Sequence, residues 1–328
     1  MKNKFFSIAG MLILMMVFSG AVTVTVQAEE ELLTIGTGNM AGVYYPVGTA
    51  IANLINKNTD NHGLHCTAQA TGASVFNVVA LRSGELNMGI VQSDIQHYAY
   101  TGTGPEQFVN AGPDKELRVL LTLYNEAFTL VVRTDAGINS YDDLAGKRVN
   151  IGDTGSGNRS TMELLMKEYG WTPNTFKPAT YFRAAEMADK LCNNDIDAFV
   201  YVVGHPNASI KKVAATCEIR VIPVSGPTVD AFIKKYPFYT TAIVPAGMYR
   251  NNPVPVQTFG PAATLMCNSS MSDETAYQIV KTIFKNMDQL RNLHEVFSYM
   301  ELEDMVCGNT APFHPGAIRY FKEIGLMP

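Results

Sequence analysis

The sequence predicts an α/β fold of two lobes, joined by two β-rich hinge crossings with a ligand cleft between them. Three observations lead to it. Apolar, strand-like runs alternate with amphipathic helical ones over most of the chain. Five strands end in short turns rich in Gly, Ser, Thr and Asn that open directly into a helix. Near residues 125 and 240 the alternation gives way to β-rich runs, as where a chain leaves one sheet for another. The expected organisation is a signal peptide over residues 1–28, lobe I over 29–124 and 240–328, and lobe II over 125–239. Two such lobes can close on a ligand by hinge motion.

In lobe I, the strand Leu32 to Ile35 enters a turn with Gly36, Gly38 and Gly42. Pro46 suits a first helical position, and Val47, Ala50, Ile51, Leu54 and Ile55 recur at the spacing of one buried helix face. Strand Leu64 to Ala70 is followed by Thr71, Gly72, Ala73 and Ser74, then a helix through Val75, Val78, Val79 and Leu81 that stops at Gly84. Strand Met88 to Val91 leads into Gln92, Ser93 and Asp94. Residues 101–116, rich in Gly, Pro and polar groups, read as a surface loop, and β-rich runs Leu117 to Tyr124 and Phe128 to Arg133 follow.

Lobe II repeats the construction. GKRVNIG is followed by Asp153 to Ser160 and the helical TMELLMKEYG. A helix from about Ala184 to Asn193 precedes strand Ala198 to Val203, which ends in Gly204, His205, Pro206 and Asn207 before ASIKKVAA. Strand Ile219 to Val224 completes it, and the β-like stretch from Thr240 to Val244 marks the crossing back. Back in lobe I, strand Ala262 to Cys267 leads to a helix starting near Ser272, with a continuous stripe of Ala276, Ile279, Val280, Ile283, Phe284, Met287 and Leu290. A final helix, Gly316 to Ile324, stops at Gly325. In open α/β sheets ligands bind outside the carboxyl ends of the strands, so the five turns are expected to face one cleft.

Lys2 and Lys4 precede an apolar run from Ile8 to Val26, and Val26-Gln27-Ala28 ends it with small residues at the cleavage-determining positions. This reads as a secretory signal peptide cut after Ala28, and the rest as an exported, periplasmic chain. A net charge of −5 without basic runs argues against nucleic-acid binding, and no Lys/Arg-rich amphipathic face suggests membrane-surface binding. Five cysteines in an exported protein suggest disulfides with one thiol left over. Cys192 and Cys217 flank a strand and the next helix, a spacing a local staple can close. Cys267 and Cys307 form a weaker second pair, leaving Cys66 buried and free; spacing alone does not establish this connectivity.

The candidate ligand-binding residues sit in the turns. Asp153, Thr154, Gly155, Ser156, Gly157, Asn158, Arg159 and Ser160 offer backbone N–H groups, small polar side chains and a guanidinium at a helix start, the elements of an anion site. Ser160 and Glu163 equally fit a capping box, a structural use of the same end. In the first turn, Asn39, Met40, Gly42, Val43 and Tyr44 present backbone donors and an aromatic wall, unless the tyrosines pack in the core. Ser74 and Asn77 lie one turn apart at the second helix start, where Ser74 can be an N-cap alone. Gln92 offers an amide to a carboxylate or satisfies loop backbone, and Gly204 ends the strand of the fifth turn. Asp153 and Asp94 are the acids nearest the cleft; either holds a ligand ammonium or serves as a solvated or helix-start carboxylate. His205 and His314, each before a proline, read as structural.

A Walker phosphate loop would need a lysine and a serine or threonine that are absent, and the first turn lacks the dinucleotide-binding spacing. Six scattered histidines form no metal-spaced cluster, so neither a metal nor a cofactor is expected.

Five ordered stretches, GTGNMAGVYYPVGTAIANLI, TGASVFNVVALRSGELNMGIVQSD, LAGKRVNIGDTGSGNRSTMELL, IDAFVYVVGHPNASI and APFHPGAIRYFKEIG, closely resemble the TAXI family of extracytoplasmic solute receptors. These serve tripartite ATP-independent periplasmic (TRAP) transporters. The resemblance runs over nearly the whole mature chain. It implies a type II periplasmic-binding-protein fold, a ligand that is a small organic anion or acidic amino acid, and membrane transporter subunits that couple import to an ion gradient. Asp153 departs from the neutral residue expected ahead of the glycine-serine turn.

The leading expectation is a monomeric receptor, not an enzyme, that closes on a dicarboxylate such as glutamate or 2-oxoglutarate. A plain organic acid fits if Asp153 points out, and an amino acid if it points in. A secreted hydrolase or isomerase is the alternative from another class, although the chain lacks a G-x-S-x-G elbow. A ligand-sensing receptor for a signalling partner is a third.

Overall fold

The computed structural model describes residues 31–328. The expected signal peptide, with cleavage after Ala28, lies outside the described residues. The strands are β1 (Glu31–Gly36), β2 (Leu64–Gln69), β3 (Met88–Gln92), β4 (Leu117–Asn125), β5 (Ala127–Arg133), β6 (Val149–Asn150), β7 (Ala179–Thr180), β8 (Ala198–Val203), β9 (Ile219–Ile222), β10 (Thr240–Val244), β11 (Val256–Gly260) and β12 (Ala262–Asn268).

They form two five-stranded sheets, ordered β2-β1-β3-β12-β4 and β7-β6-β8-β5-β9, and a two-stranded ribbon of β10 and β11. The sheets share one plan. The strand second from one edge pairs in parallel with both neighbours, β1 with β2 and β3, β6 with β7 and β8. Parallel neighbours need crossover connections, which the helices supply. The antiparallel strand of each sheet is the one delivered from the other: β12 lies between β3 and β4, and β5 between β8 and β9.

Both crossings are one residue long. Glu126 separates β4 from β5, and Pro261 separates β11 from β12. Glu126 N–H donates to Pro261 C=O at 2.9 Å. A Cβ on Gly260 would overlap the Glu126 carbonyl oxygen and lie 2.8 Å from its carbon, so glycine is required for this approach. The return crossing thus falls at residues 260–261, whereas the sequence reading put it near 240. Between the two, the ribbon rests on the second sheet: Thr258 Oγ1 donates to Phe128 C=O at 2.7 Å, and Val224 N–H to Gln257 C=O at 3.0 Å.

The core follows the periodicity. In helix Asp273–Lys285, Ala276, Ile279, Val280 and Ile283 are fully buried, and Ser272 Oγ caps the start by accepting from Thr275 N–H at 2.9 Å. Burying each of the Ile and Val side chains contributes roughly 1.5–3 kcal/mol. Helix Tyr44–Lys57 starts before the expected position, with Val43 as N-cap and Pro46 as its third residue. The fit is sterically sound, because the first N–H groups of a helix have no intrahelical acceptor to lose. Within the expected surface loop, Glu106–Ala111 is helical and anchored by buried Phe108. Helix Pro227–Lys235, strand β11 and the two-residue strand β7 had no clear sequence signal.

Cys192 and Cys217 are disulfide-bonded, with Cα atoms 5.5 Å apart, joining the ends of helices Ala184–Cys192 and Ala208–Thr216. The second expected pair does not form. Cys267 is buried in β12, an interior strand of the first sheet, while Cys307 is exposed, and both are free thiols, as is buried Cys66. Burial pushes the Cys66 thiol up to about 12.

Candidate functional site

A cavity of about 520 Å³ lies where the carboxyl ends of the parallel strands of both sheets meet. The first sheet contributes the turns after β1 and β2, Gln92 at the end of β3, and Glu126 at the crossing. The second contributes the turns after β6 and β7 and residues Tyr201 to Val203 of β8. Besides helix Ser93–Thr101, whose N-cap Gln92 lines the cavity but whose first turn already carries the Asp94 carboxyl, four helices begin at its wall, Tyr44–Lys57, Ser74–Ser83, Gly157–Glu168 and Ala184–Cys192. Their N-cap residues Val43, Ala73, Ser156 and Arg183 all line it. Ser156 Oγ accepts from Arg159 N–H at 3.2 Å, whereas the caps at Val43 and Ala73 make no side-chain bond. The positive ends of four helix dipoles therefore converge on one space.

The geometry corrects the expected capping box. Ser156, not Ser160, caps the helix after β6. It can do so because Gly155, at φ 82°, turns the chain directly into the helix. Glu163 pairs with Arg159 at 2.8 Å. Ser74 is not an N-cap either. The cap is Ala73, and Ser74 Oγ accepts from Gln92 N–H at 3.1 Å, tying the turn after β2 to the end of β3. Ala73 takes φ 70° and ψ −152°, a region nearly confined to glycine.

Of the sequence candidates, Asn39, Gly42, Val43, Tyr44, Ser74, Gln92, Asp153, Thr154, Ser156, Gly157 and Asn158 line the cavity. The rest stand off it. Met40 is 67% exposed. Asn77 is buried and donates to Thr37 C=O and Ile90 C=O, locking strand ends together. Gly155 is at the turn's outer corner, and Ser160 Oγ donates back to Ser156 C=O. The Arg159 guanidinium lies over the Tyr181 ring at 4.2 Å, and Gly204 packs against Tyr124. The Asn158 side chain faces the cavity but spends its amide on β8, donating to Val200 C=O and accepting from Val202 N–H.

Sequence reasoning missed Glu126, Tyr181, Arg183, Glu186 and Tyr201. Glu126 carried one signal, a lone acid between the apolar runs of β4 and β5. It is 2% exposed, and its Oε2 accepts from Tyr44 Oη at 3.0 Å. Burial pushes its carboxyl up to about 8, against the downward pull of the Tyr44 hydrogen bond. Burial also raises Asp153, which lines the cavity near Arg183. Gln92 Oε1 and Tyr124 Oη are buried without hydrogen-bond partners among the described residues. His205 is structural: its ring nitrogens meet Thr129 Oγ1 at 2.9 Å and Tyr249 Oη at 2.6 Å, and burial lowers it to about 4. Among the described residues, no group of three or more His, Cys, Asp or Glu side chains is placed to hold a metal ion, and no helix is long and apolar enough to cross a membrane.

Two sheets of this shared plan, with strand ends and helix starts gathered round a cavity beside the crossings, define the type II periplasmic-binding-protein fold. Solved structures agree at the level of fold. A Xanthomonas citri protein bound to ATP is 12% identical, with 90% of this chain and 97% of that chain covered and a TM-score of 0.52. A binding protein component of an ABC phosphonate transporter from Pseudomonas aeruginosa is 11% identical, with 82% and 79% covered and a TM-score of 0.51. The chain belongs to the NMT1-like family, whose model matches residues 35–325.

Proposed function

We propose that the protein is an extracytoplasmic solute receptor that binds a small organic anion and hands it to a TRAP-type, ion-coupled membrane transporter. The observation that carries the reading is the convergence of four helix N-termini on a cavity of about 520 Å³. That volume suits a small molecule. Each helix end contributes about 1 kcal/mol toward an anion, and Arg183 at the wall adds a cation. Four such ends supply roughly half of the ~8 kcal/mol of a micromolar complex, so side chains must supply the rest and set the choice of ligand. A dicarboxylate, glutamate or 2-oxoglutarate, matches several anion-binding ends in one space.

In this reading the sheets act as lobes that close by motion at the two crossings. The exported chain loses its signal peptide after Ala28 and works as a monomer in the periplasm. The ordered TAXI-like motifs favour a TRAP partner over the ABC transporter named for the Pseudomonas protein. An enzymatic role has less support: Ser156 Oγ is committed to Asp153 C=O and Arg159 N–H, and His205 to Thr129 and Tyr249.

The test is calorimetric titration of residues 29–328, refolded to remove carried-over ligand. The panel holds dicarboxylates, acidic and neutral amino acids, phosphate and an alkylphosphonate. Saturable, micromolar binding of a dicarboxylate is expected; tight binding of the phosphonate alone, or no binding at all, refutes the assignment. Uptake into cells carrying the TRAP membrane subunits should survive ATP depletion and stop when the ion gradient is collapsed.

A further inference from the structure

We infer that the deep end of the cavity is an ammonium subsite, in which Glu126 and Gln92 accept hydrogen bonds from a primary amine of the ligand. The inference rests on the receptor reading and deepens it: the ligand is an amino acid and not the corresponding 2-oxo acid.

Glu126 is buried at the crossing, and among the described residues no cation is bonded to it. The groups around it come from several elements. Tyr44 reaches it from helix Tyr44–Lys57, Gln92 from the end of β3, and the buried Asp94 carboxyl from the next helix start. Tyr124 and Tyr201 face it from β4 and β8. Arg183, Asp153 and Glu186 belong to the turns of the second sheet, and His205, on the far side of the crossing, is neutral. An acid so placed is uncharged until a partner cation arrives.

Gln92 Oε1 is the independent observation. It is a buried acceptor without a partner, on a side chain 2% exposed that lines the cavity. Buried acceptors of this kind are satisfied by a donor. An ammonium brings three donors and a charge, whereas a carboxylate or a keto oxygen brings only further acceptors. The ligand's carboxylates are then left for the helix N-termini.

Binding has a proton balance. The ligand ammonium keeps its protons, Glu126 gives up its own to solvent, and the pair that forms is charge-assisted. With Glu126 near 8 in the free protein, close to one proton should leave per ligand at pH 7 and about a tenth of one at pH 9.

The experiment is titration calorimetry in buffers of different ionisation enthalpy at pH 7 and pH 9. The probes are matched pairs: glutamate with 2-oxoglutarate, aspartate with oxaloacetate, alanine with pyruvate. The expected result is roughly 100-fold tighter binding of one amino acid than of its 2-oxo partner, with proton release at pH 7 that shrinks by pH 9. Glu126→Gln should abolish the release and weaken that amino acid about as much; the wild-type proton count needs no variant. Preference for a 2-oxo acid, or proton uptake on binding, overturns the subsite and leaves the receptor reading standing. No binding by any probe overturns both.

Discussion

Substituting Gly157 by alanine tests whether the two walls of the cavity meet as described. Gly157 belongs to the turn after β6, and it faces Gln92 and Ser74 of the first sheet. A Cβ there would clash with Gln92 Oε1, lie 2.6 Å from Gln92 Cδ and come within 3.0 Å of Ser74 Oγ. Gln92 is 2% exposed and bonds through its backbone to Ser74, so its side chain can yield only by leaving the Glu126 cluster. Overpacking of this kind costs about 1–3 kcal/mol. Because the atom that must move is the end of a side chain, a mid-range cost of about 2 kcal/mol applies, a loss of roughly 30-fold in affinity. In the proposed open form of the receptor the sheets part and the clash is relieved, and alanine at a first helical position is a good helix former, so on that proposal the unfolding midpoint without ligand should shift by no more than about 2 °C. The assay is calorimetry with the tightest probe, beside a thermal melt, with Ser160→Ala as a control outside the wall. Unchanged affinity in a folded Gly157→Ala protein would refute the placement of these turns opposite each other.

Three further outcomes follow from geometry. Asp94 Oδ2 accepts from Tyr239 Oη at 2.7 Å and Thr161 Oγ1 at 2.9 Å, yet burial outweighs these bonds and raises its carboxyl to about 6. The folded state therefore holds a proton the unfolded chain has released, so this group's contribution falls as pH rises from about 4 to about 6, by roughly 3 kcal/mol. Glu126, raised to about 8, adds a decline of its own over this range, so urea unfolding should show a steeper fall between pH 4 and 6 in the wild type than in Asp94→Asn, and parallel profiles would discount the Asp94 share. Ala73→Gly should raise stability by about 1 kcal/mol, since the strain released at φ 70° exceeds the entropy glycine adds to the unfolded chain; a lower urea midpoint would count against the strain. Opening the disulfide with Cys192→Ser should cost about 3.5 kcal/mol on the chain-entropy model for a 25-residue separation, read as a lower urea midpoint than the wild type under oxidising conditions.

Local chemistry made much of the fold legible. Small residues after β1, β2 and β6 marked the turns that now line the cavity, and the 3.6-residue stripe of Asp273–Lys285 marked its buried face. What was hidden depends on contacts far apart in sequence. Glu126 sits in no motif, and its position depends on Pro261, its backbone partner in the other crossing. Arg183 and Glu186 follow a two-residue strand too short to show a period. Asn77 shares a helix face with Ser74, but its amide is drawn to the backbone of Thr37 and Ile90, which no spacing rule reveals. Cys267 and Cys307 matched as a leftover pair in a count of thiols; burial in β12 separates them.

The contact between the two crossings has a mechanical consequence. Since Glu126 and Pro261 are joined by a backbone hydrogen bond, any swing of one sheet against the other pivots beside Glu126, and displacement grows with distance from that fulcrum. In such a swing the walls beside Glu126 would keep their spacing best, and turns farther from the crossings would travel more. Under the proposed closure, a group that fits beside the pivot would keep its contacts there as the sheets move, because that wall moves least.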